Sequence, residues 1–148
     1  MTEVDKSTWG PGPWQSEPDF LEWDDLETGL SCRIRRNGSG SLCGYVGVPK
    51  SYSTYEQKYD DLNHVYCHRG LTFSNWMEDA PGSWWFGFDC AHSGDYCPAD
   101  VRGRRSVSLQ GSAESYKDIE YVRSEVTSLA EQLFNPLEAL AATCAPEE

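Results

Sequence analysis

The amino-acid sequence predicts an α+β fold, in which one long C-terminal helix packs on an antiparallel sheet of about four strands. The helix is indicated by a single apolar stripe, because apolar residues recur at steps of 3, 4, 3 and 4 towards the C-terminus. The sheet is indicated by alternation of apolar and polar residues, first at Leu30, Cys32 and Ile34. The stripe consists of Ile119, Val122, Val126, Leu129 and Leu133.

The chain of 148 residues is long enough for one domain with its own core. Residues 1–18 are rich in proline, glycine and charge, which predicts an extended N-terminal arm that Trp9 and Trp14 attach to the body. Residues 19–136 form the predicted α+β domain, and residues 137–148 a C-terminal tail. Residues 20–26 suit either a short helical turn or an irregular approach to the first strand.

Turn signals separate the predicted strands. The sequence NGSG at 37–40 favours positive φ and joins the first two strands in a hairpin. The third strand is expected over 64–73, broken at Gly70, and the very apolar segment 83–90 is the fourth. The polar segment 50–63 is interpreted as a covering or functional loop and 93–114 as a long mobile surface loop. Ser115 and Asp118 resemble a capping box, and Asn135-Pro136 ends the helix.

The net charge of −12 disfavours binding to nucleic-acid polymers and to anionic membranes. No run of about 18 apolar residues exists, so we expect no membrane span. The N-terminus lacks the apolar region of a secretory signal, which predicts a cytoplasmic location. An acidic surface is also compatible with an inhibitor that covers a host enzyme. Homo-oligomerisation is left open.

The six cysteines are expected to be reduced, and most of them to be buried small apolar side chains. Their spacing contains no C-x-x-C pair, and nothing matches a known metal signature, so we predict no metal or other cofactor, with zinc or manganese at two histidines and carboxylates as the less favoured alternative. His64 and His68 would lie about 13 Å apart if they shared a strand. Cys90 follows Asp89 in an apolar strand, which favours an inert thiol over a nucleophile.

The candidate chemistry lies at the end of the fourth strand. Asp89, His92 and Asp95 fall within seven residues, and His68 leaves the third predicted strand. If these two strands pair, the four groups converge on one rim, where carboxylates orient a histidine as a general base or as a ligand for phosphate and ribose. In an enzyme these four residues would be catalytic. The alternative is that Asp89 forms an Asx turn and His92 only occupies a loop.

Aromatic residues predict a binding pocket beside this rim. Strand alternation sends Trp84, Phe86 and Phe88 to the core and directs Trp85, Gly87 and Asp89 to the other face. A flat base could then stack on Trp85 above Gly87, with a ribose at Asp89. The other predicted ligand contacts are Tyr52, Tyr55 and Tyr59 of the polar loop and Arg69. Two further groups of arginines suit either phosphate binding or solvated turns. The first group is Arg33, Arg35 and Arg36, and the second is Arg102, Arg104 and Arg105.

The motifs GYVGVP, YDDLN, HRGLTF and WWFGFDCAHSGD, with YKDIEYVRSEVTSLAEQL near the end, resemble a family of small uncharacterised bacteriophage proteins. The resemblance covers about residues 14–134. Arg69 stands where that family more usually has glycine. The resemblance implies a phage origin and therefore the cytoplasm of the infected bacterial host.

Three functional hypotheses follow from the residues and the resemblance. The first is a phage protein that sequesters a small nucleotide-derived immune signal, such as a cyclic ADP-ribose isomer, an ADP-ribose conjugate or a cyclic dinucleotide. This step is an analogy with counter-defence proteins in general. The second is a hydrolase that cleaves such a nucleotide with its histidine and aspartate residues. The third is the acidic inhibitor of a host enzyme.

Overall fold

In the computed structural model, five antiparallel strands form one open sheet, with helices at the C-terminal end of the chain. The structure describes residues 4–99 and 115–144, with side chains described up to residue 141. The strands are β1 (Phe20–Asp24), β2 (Ser31–Arg36), β3 (Leu42–Pro49), β4 (Phe73–Asn75) and β5 (Ser83–Asp89). Their order in the sheet is β1-β2-β3-β5-β4. The helices are α1 (Ile119–Leu133) and α2 (Pro136–Cys144), and short 3-10 turns occur at Pro13–Gln15 and Tyr59–Asp61.

The α+β class is therefore confirmed, and the sheet has five strands instead of four. The additional strand is β1, where the sequence predicted a helical turn or irregular chain. It pairs with β2, so that Leu21 lies opposite Ile34 and Trp23 opposite Cys32. Leu21 and Trp23 thereby pack on the core, while Glu22 and Asp24 alternate with them. A five-residue edge strand carries too short an alternation to be recognised without its partner.

The third predicted strand is much shorter than expected. Only Phe73–Asn75 pairs with β5, and residues 64–72 form turns and irregular chain. The reason is local: Arg69 and Gly70 both have positive φ, of 60° and 90°, which is incompatible with an extended strand. His68 consequently lies in a turn instead of on the sheet.

Helix α1 confirms the apolar stripe and fills one face of the sheet. Val122, Val126, Leu129 and Leu133 are buried against that face. Gly44 of β3 permits the close approach, because a Cβ atom there would lie 2.5 Å from Cγ2 of Val126. The helix cap differs from expectation: Asp118 itself is the N-cap and accepts the backbone N–H of Tyr121.

Phe86 and Phe88 of β5 lie in this core and are fully buried, as their alternation predicts. Helix α1 ends before Asn135-Pro136, also as expected, but the chain then continues into α2. The segment that the sequence assigned to a tail therefore begins with a helix. Among the described residues, no helix is long and apolar enough to cross a membrane.

The N-terminal segment is attached through a buried arginine. The side chain of Arg36 is 0% exposed and forms ion pairs with Asp19 at 2.5 Å and Glu17 at 3.2 Å. It also donates to the hydroxyl of Tyr116, which in turn donates to Glu17. Trp9 and Trp14 are both buried. This network connects the N-terminal segment, the β2–β3 hairpin and the approach to α1.

Candidate functional site

The turn that follows β5 brings the four predicted titratable residues together. Asp89 is the last residue of β5, and the backbone N–H of Asp95 closes a turn on the carbonyl of His92 at 2.9 Å. His68 reaches the same place from another turn, which the hydrogen bond from Gly70 N–H to Cys67 O closes at 2.9 Å. The convergence expected from the sequence is thus present, although His68 arrives from a turn and not from a paired strand.

His68 is held from both sides. Its Nδ1 lies 2.7 Å from the hydroxyl of Tyr121, and its Nε2 lies 2.8 Å from Oδ2 and 2.9 Å from Oδ1 of Asp95. Its side chain is 9% exposed. Two hydrogen-bonding partners on opposite ring nitrogens fix the orientation of the imidazole.

Asp95 is the centre of the cluster. Its carboxylate accepts the backbone N–H of His92 at 3.0 Å and pairs with Nζ of Lys117 at 3.1 Å. Burial alone would raise the pKa of this carboxyl group, but the hydrogen bonds from His68, from the His92 backbone and from Lys117 together hold its pKa below the usual range. Asp95 is therefore a buried, ionised carboxylate at neutral pH.

His92 forms the partly open side of the cluster. Its Nδ1 lies 3.5 Å from Oδ1 of Asp89 and 3.8 Å from Oδ2 of Asp95. This nitrogen is buried and has no hydrogen-bond partner among the described residues. The side chain as a whole is 27% exposed, and its ring centroid lies 6.1 Å from that of His68.

Asp89 also forms the Asx turn that the sequence analysis gave as its structural alternative. Its Oδ1 accepts the backbone N–H of Ala91 at 3.1 Å, which is an Asx turn, and Oδ2 accepts the hydroxyl of Thr72 at 3.3 Å. Its side chain remains one-third exposed. The Asx turn and the contact with His92 thus occur together.

Sequence reasoning missed Tyr121 and Lys117. Tyr121 lies in the first turn of α1 beside the apolar stripe, so its place in the sequence suggests only a helix-surface residue. Lys117 precedes the helix and carries no pattern of its own. Both are brought to Asp95 and His68 by the docking of α1, which local periodicity does not encode.

The structure differs from expectation at Trp85, which lines a cavity of about 310 Å³ beside β1 and β2 but is itself nearly buried. Trp85 is only 2% exposed, and the guanidinium of Arg33 lies 4.7 Å from the centre of its ring. The space above Gly87 is also filled, because a Cβ atom on Gly87 would lie 2.4 Å from Cδ1 of Tyr45. A base cannot stack there without displacing Tyr45.

The other predicted ligand contacts also lie elsewhere. Tyr52 is buried with its hydroxyl towards the backbone N–H of Asn135, and Tyr55 packs on Trp76 with ring centroids 5.3 Å apart. The backbone of Tyr59 donates to Ser74, and Arg69 is an exposed turn residue. Arg69 nevertheless matters for the site, because its left-handed backbone lies in the turn that carries His68.

An aromatic cavity that the sequence did not predict opens on the face of the sheet that carries Trp85 and Gly87. Its volume is about 390 Å³, within the range of small-molecule sites. The Nε of Arg35 is buried and has no hydrogen-bond partner within the described part of the chain. The cavity is lined by Arg35, Tyr45, Phe73, Trp76, Met77, Glu78 and Asp79.

The cavity adjoins the cluster through strand register. Tyr45 of β3 and Phe73 of β4 both lie opposite Gly87 of β5, and Asp89 follows two residues later on the same face. Diagonal neighbours of this kind are about 7–8 Å apart. Asp89 therefore lies between the aromatic cavity and His92.

The remaining predicted features are structural or lie outside the described residues. Arg33 and Arg36 are buried in ion pairs with acidic residues, whereas Arg35 is one-third exposed, lies 3.6 Å from Asp79 and lines the aromatic cavity. Arg102, Arg104 and Arg105 lie outside the described residues, as does most of the predicted loop 93–114. Cys32, Cys43 and Cys90 are buried free thiols. Burial raises the pKa of Cys32 to about 12, so it is a poor nucleophile.

Comparison with family models, with curated proteins and with solved structures found no match to this chain.

Proposed function

We propose that the protein is a phage-encoded hydrolase of a small nucleotide-derived signal. The base would bind in the aromatic cavity, and a phosphate linkage would be cleaved at the cluster of His68, His92, Asp89 and Asp95. The observation that carries the proposal is the position of Asp89, which adjoins the cavity through Gly87 and contacts His92. The phage origin rests on the sequence resemblance, and the class of signal rests on an analogy with counter-defence proteins in general.

The cavity offers the contacts that a nucleotide requires. Tyr45, Phe73 and Trp76 provide aromatic surface for a base, and stacking of this kind tolerates any base. The guanidinium of Arg35 lines the cavity 3.6 Å from Asp79 and can pair with a phosphate oxygen. The net charge of −12 favours a small ligand over a polymer, because a polymer would bring many phosphates against an acidic surface.

The cluster offers acid–base chemistry beside that ligand. A water molecule at the exposed edge would transfer a proton to Asp89 while its oxygen bonds to phosphorus. The bond from phosphorus to the leaving oxygen breaks, and that oxygen takes a proton from solvent. His68 and Asp95 hold the arrangement, and His92 stabilises the negative charge that develops.

Sequestration without cleavage is the second candidate, and the contacts of Asp89 favour it, because both of its carboxylate oxygens already accept hydrogen bonds from Ala91 and Thr72. Incubation with cyclic ADP-ribose isomers, ADP-ribose conjugates and cyclic dinucleotides, followed by heat denaturation and mass spectrometry, separates the two. A hydrolase returns a product that contains one added water. A binding protein returns the intact nucleotide.

The matched variants are His92→Ala and His64→Ala, because His64 is an exposed histidine outside the cluster. We expect His92→Ala to lower kcat/KM by about 100-fold or more, as loss of a group that stabilises developing negative charge does. His64→Ala should leave it unchanged. If no nucleotide is bound or cleaved, the proposal fails and the acidic inhibitor becomes the leading hypothesis.

A further inference from the structure

We infer that His68, His92 and Asp95 form a binding site for one divalent transition-metal ion, such as Zn²⁺ or Mn²⁺. One ligand atom from each residue lies within 4.8 Å of the other two. An ion about 2.1 Å from each atom requires pairs no farther apart than about 4.2 Å. In tetrahedral coordination such ligand atoms lie about 3.4 Å apart, so the widest pair would close by about 1.4 Å at most, which rotation of the partly exposed His92 side chain can supply.

His92 provides the first independent support. Its Nδ1 is buried without a hydrogen-bond partner in the described ranges, and it lies between two carboxylates at 3.5 Å and 3.8 Å. Buried polar atoms in folded proteins are nearly always satisfied. A metal ion would give this nitrogen its missing partner and would balance the carboxylates at the same time.

His68 provides the second independent support for the metal site. Histidine ligands of metals commonly use one ring nitrogen for the ion and the other for a hydrogen bond that fixes the ring. Here Nδ1 contacts the Tyr121 hydroxyl at 2.7 Å, and Nε2 lies 2.8 Å from Asp95. When an ion binds, Nε2 would give up the proton that it donates to Asp95, Nδ1–H would donate to the Tyr121 hydroxyl, and the lone pair of Nε2 would face the ion together with an oxygen of Asp95.

Asp95, like His68, has one side-chain atom fixed by a neighbouring residue and another that faces the proposed ion. Lys117 lies 3.1 Å from Oδ1, whereas Oδ2, which is 3.8 Å from Nδ1 of His92, accepts the backbone N–H of His92 and has a second lone pair for an ion. Two imidazole nitrogens and one carboxylate oxygen suit zinc, manganese or iron, whereas magnesium and calcium prefer oxygen ligands alone. Three protein ligands also leave a position for water.

The inference deepens the proposed function, since a metal-bound water is a stronger nucleophile at neutral pH. Its catalytic part rests on the proposed hydrolase, but binding of the ion does not. Asp89 is the neighbouring carboxylate that would accept the proton of that water.

Titration of the full-length reduced protein with ZnCl₂ by calorimetry tests the site directly. We expect one ion per chain. His92→Ala should weaken binding by more than about 100-fold, because loss of a ligand exceeds the ~10–100-fold typical of an outer-shell partner. Tyr121→Phe should weaken it by about 10-fold. His64 is the remaining histidine of the chain and lies outside the site, so His64→Ala should leave zinc affinity unchanged.

Circular dichroism would check that each variant is folded. Replacement of zinc by Co²⁺ would then show, from the absorption spectrum, which kinds of atom bind the ion. Nitrogen and oxygen ligation gives no thiolate charge-transfer absorption, whereas such absorption would assign the ion to cysteines and overturn the site. Equal affinities of His92→Ala and His64→Ala, or no binding at all, would also overturn it. Zinc binding without nucleotide hydrolysis would support the site and reject the hydrolase. Hydrolysis that persists after chelation would reject a catalytic role for the ion.

Discussion

The burial of Trp85 makes a quantitative prediction that separates a core residue from a ligand contact. Trp85 is 2% exposed and packs between Arg33 and Gly47, where a Cβ atom would lie 2.9 Å from the indole. A buried tryptophan removes about 150–250 Å² from water. At about 25 cal/mol per Å², this corresponds to an upper bound of about 4–6 kcal/mol.

We therefore expect Trp85→Ala to lower the free energy of unfolding by about 3–5 kcal/mol. Trp85→Phe should cost less than about 1.5 kcal/mol, because it keeps a ring over Gly47. It also removes an indole N–H that has no hydrogen-bond partner in the part of the chain described. Trp76→Ala is the matched control, since Trp76 is 42% exposed, and it should cost about 1 kcal/mol or less.

The assay is equilibrium urea unfolding followed by far-ultraviolet circular dichroism, because the substitutions remove a fluorophore. A Trp85→Ala protein within about 0.5 kcal/mol of the wild type would refute the burial argument. If the same variant also lost nucleotide binding, Trp85 would be the pocket wall that strand alternation first suggested, and the cavity at Tyr45 and Trp76 would not be the site.

Four other perturbations test separate parts of the structure. Arg36→Met should lower stability in urea by about 3–5 kcal/mol, because it leaves the buried carboxylate of Glu17 without its ion-pair partner; an unchanged midpoint would contradict the buried network. Asp95→Asn should destabilise the protein at neutral pH, and because folding lowers the pKa of Asp95, this difference should disappear as the pH falls below 3.8 through the folded-state pKa. A difference that does not shrink as the pH falls below 3.8 would show that the charge is not responsible. Arg69→Gly should keep stability within about 1 kcal/mol and Arg69→Val should lose more than that, because a left-handed φ suits glycine and not a β-branched residue; equal thermal midpoints would argue against the turn. Leu129→Asp should prevent cooperative folding in the same urea assay, since Leu129 is 0% exposed, and a folded variant would mean that α1 does not dock as described.

The sequence by itself determined the features that local periodicity encodes. Val122, Val126 and Leu129 recur at helical spacing, so α1 and its buried face could be predicted, and the glycine-containing turn at 37–40 located the β2–β3 hairpin. The clustering of Asp89, His92 and Asp95 was also visible, because the three residues are close along the chain.

Tertiary structure decided what depends on distant partners. β1 is recognisable only from its pairing with β2, and the contact of His68 with Asp95 joins residues that are 27 positions apart. Strand alternation correctly separated Trp85 from Phe86, but both faces of β5 are covered, the second by Arg33 and Tyr45. Alternation determines which face a side chain points to, whereas burial of that face depends on which other segments pack there. Packing between distant segments also brings Tyr121 and Lys117 to the site, so no local pattern in the sequence indicates them.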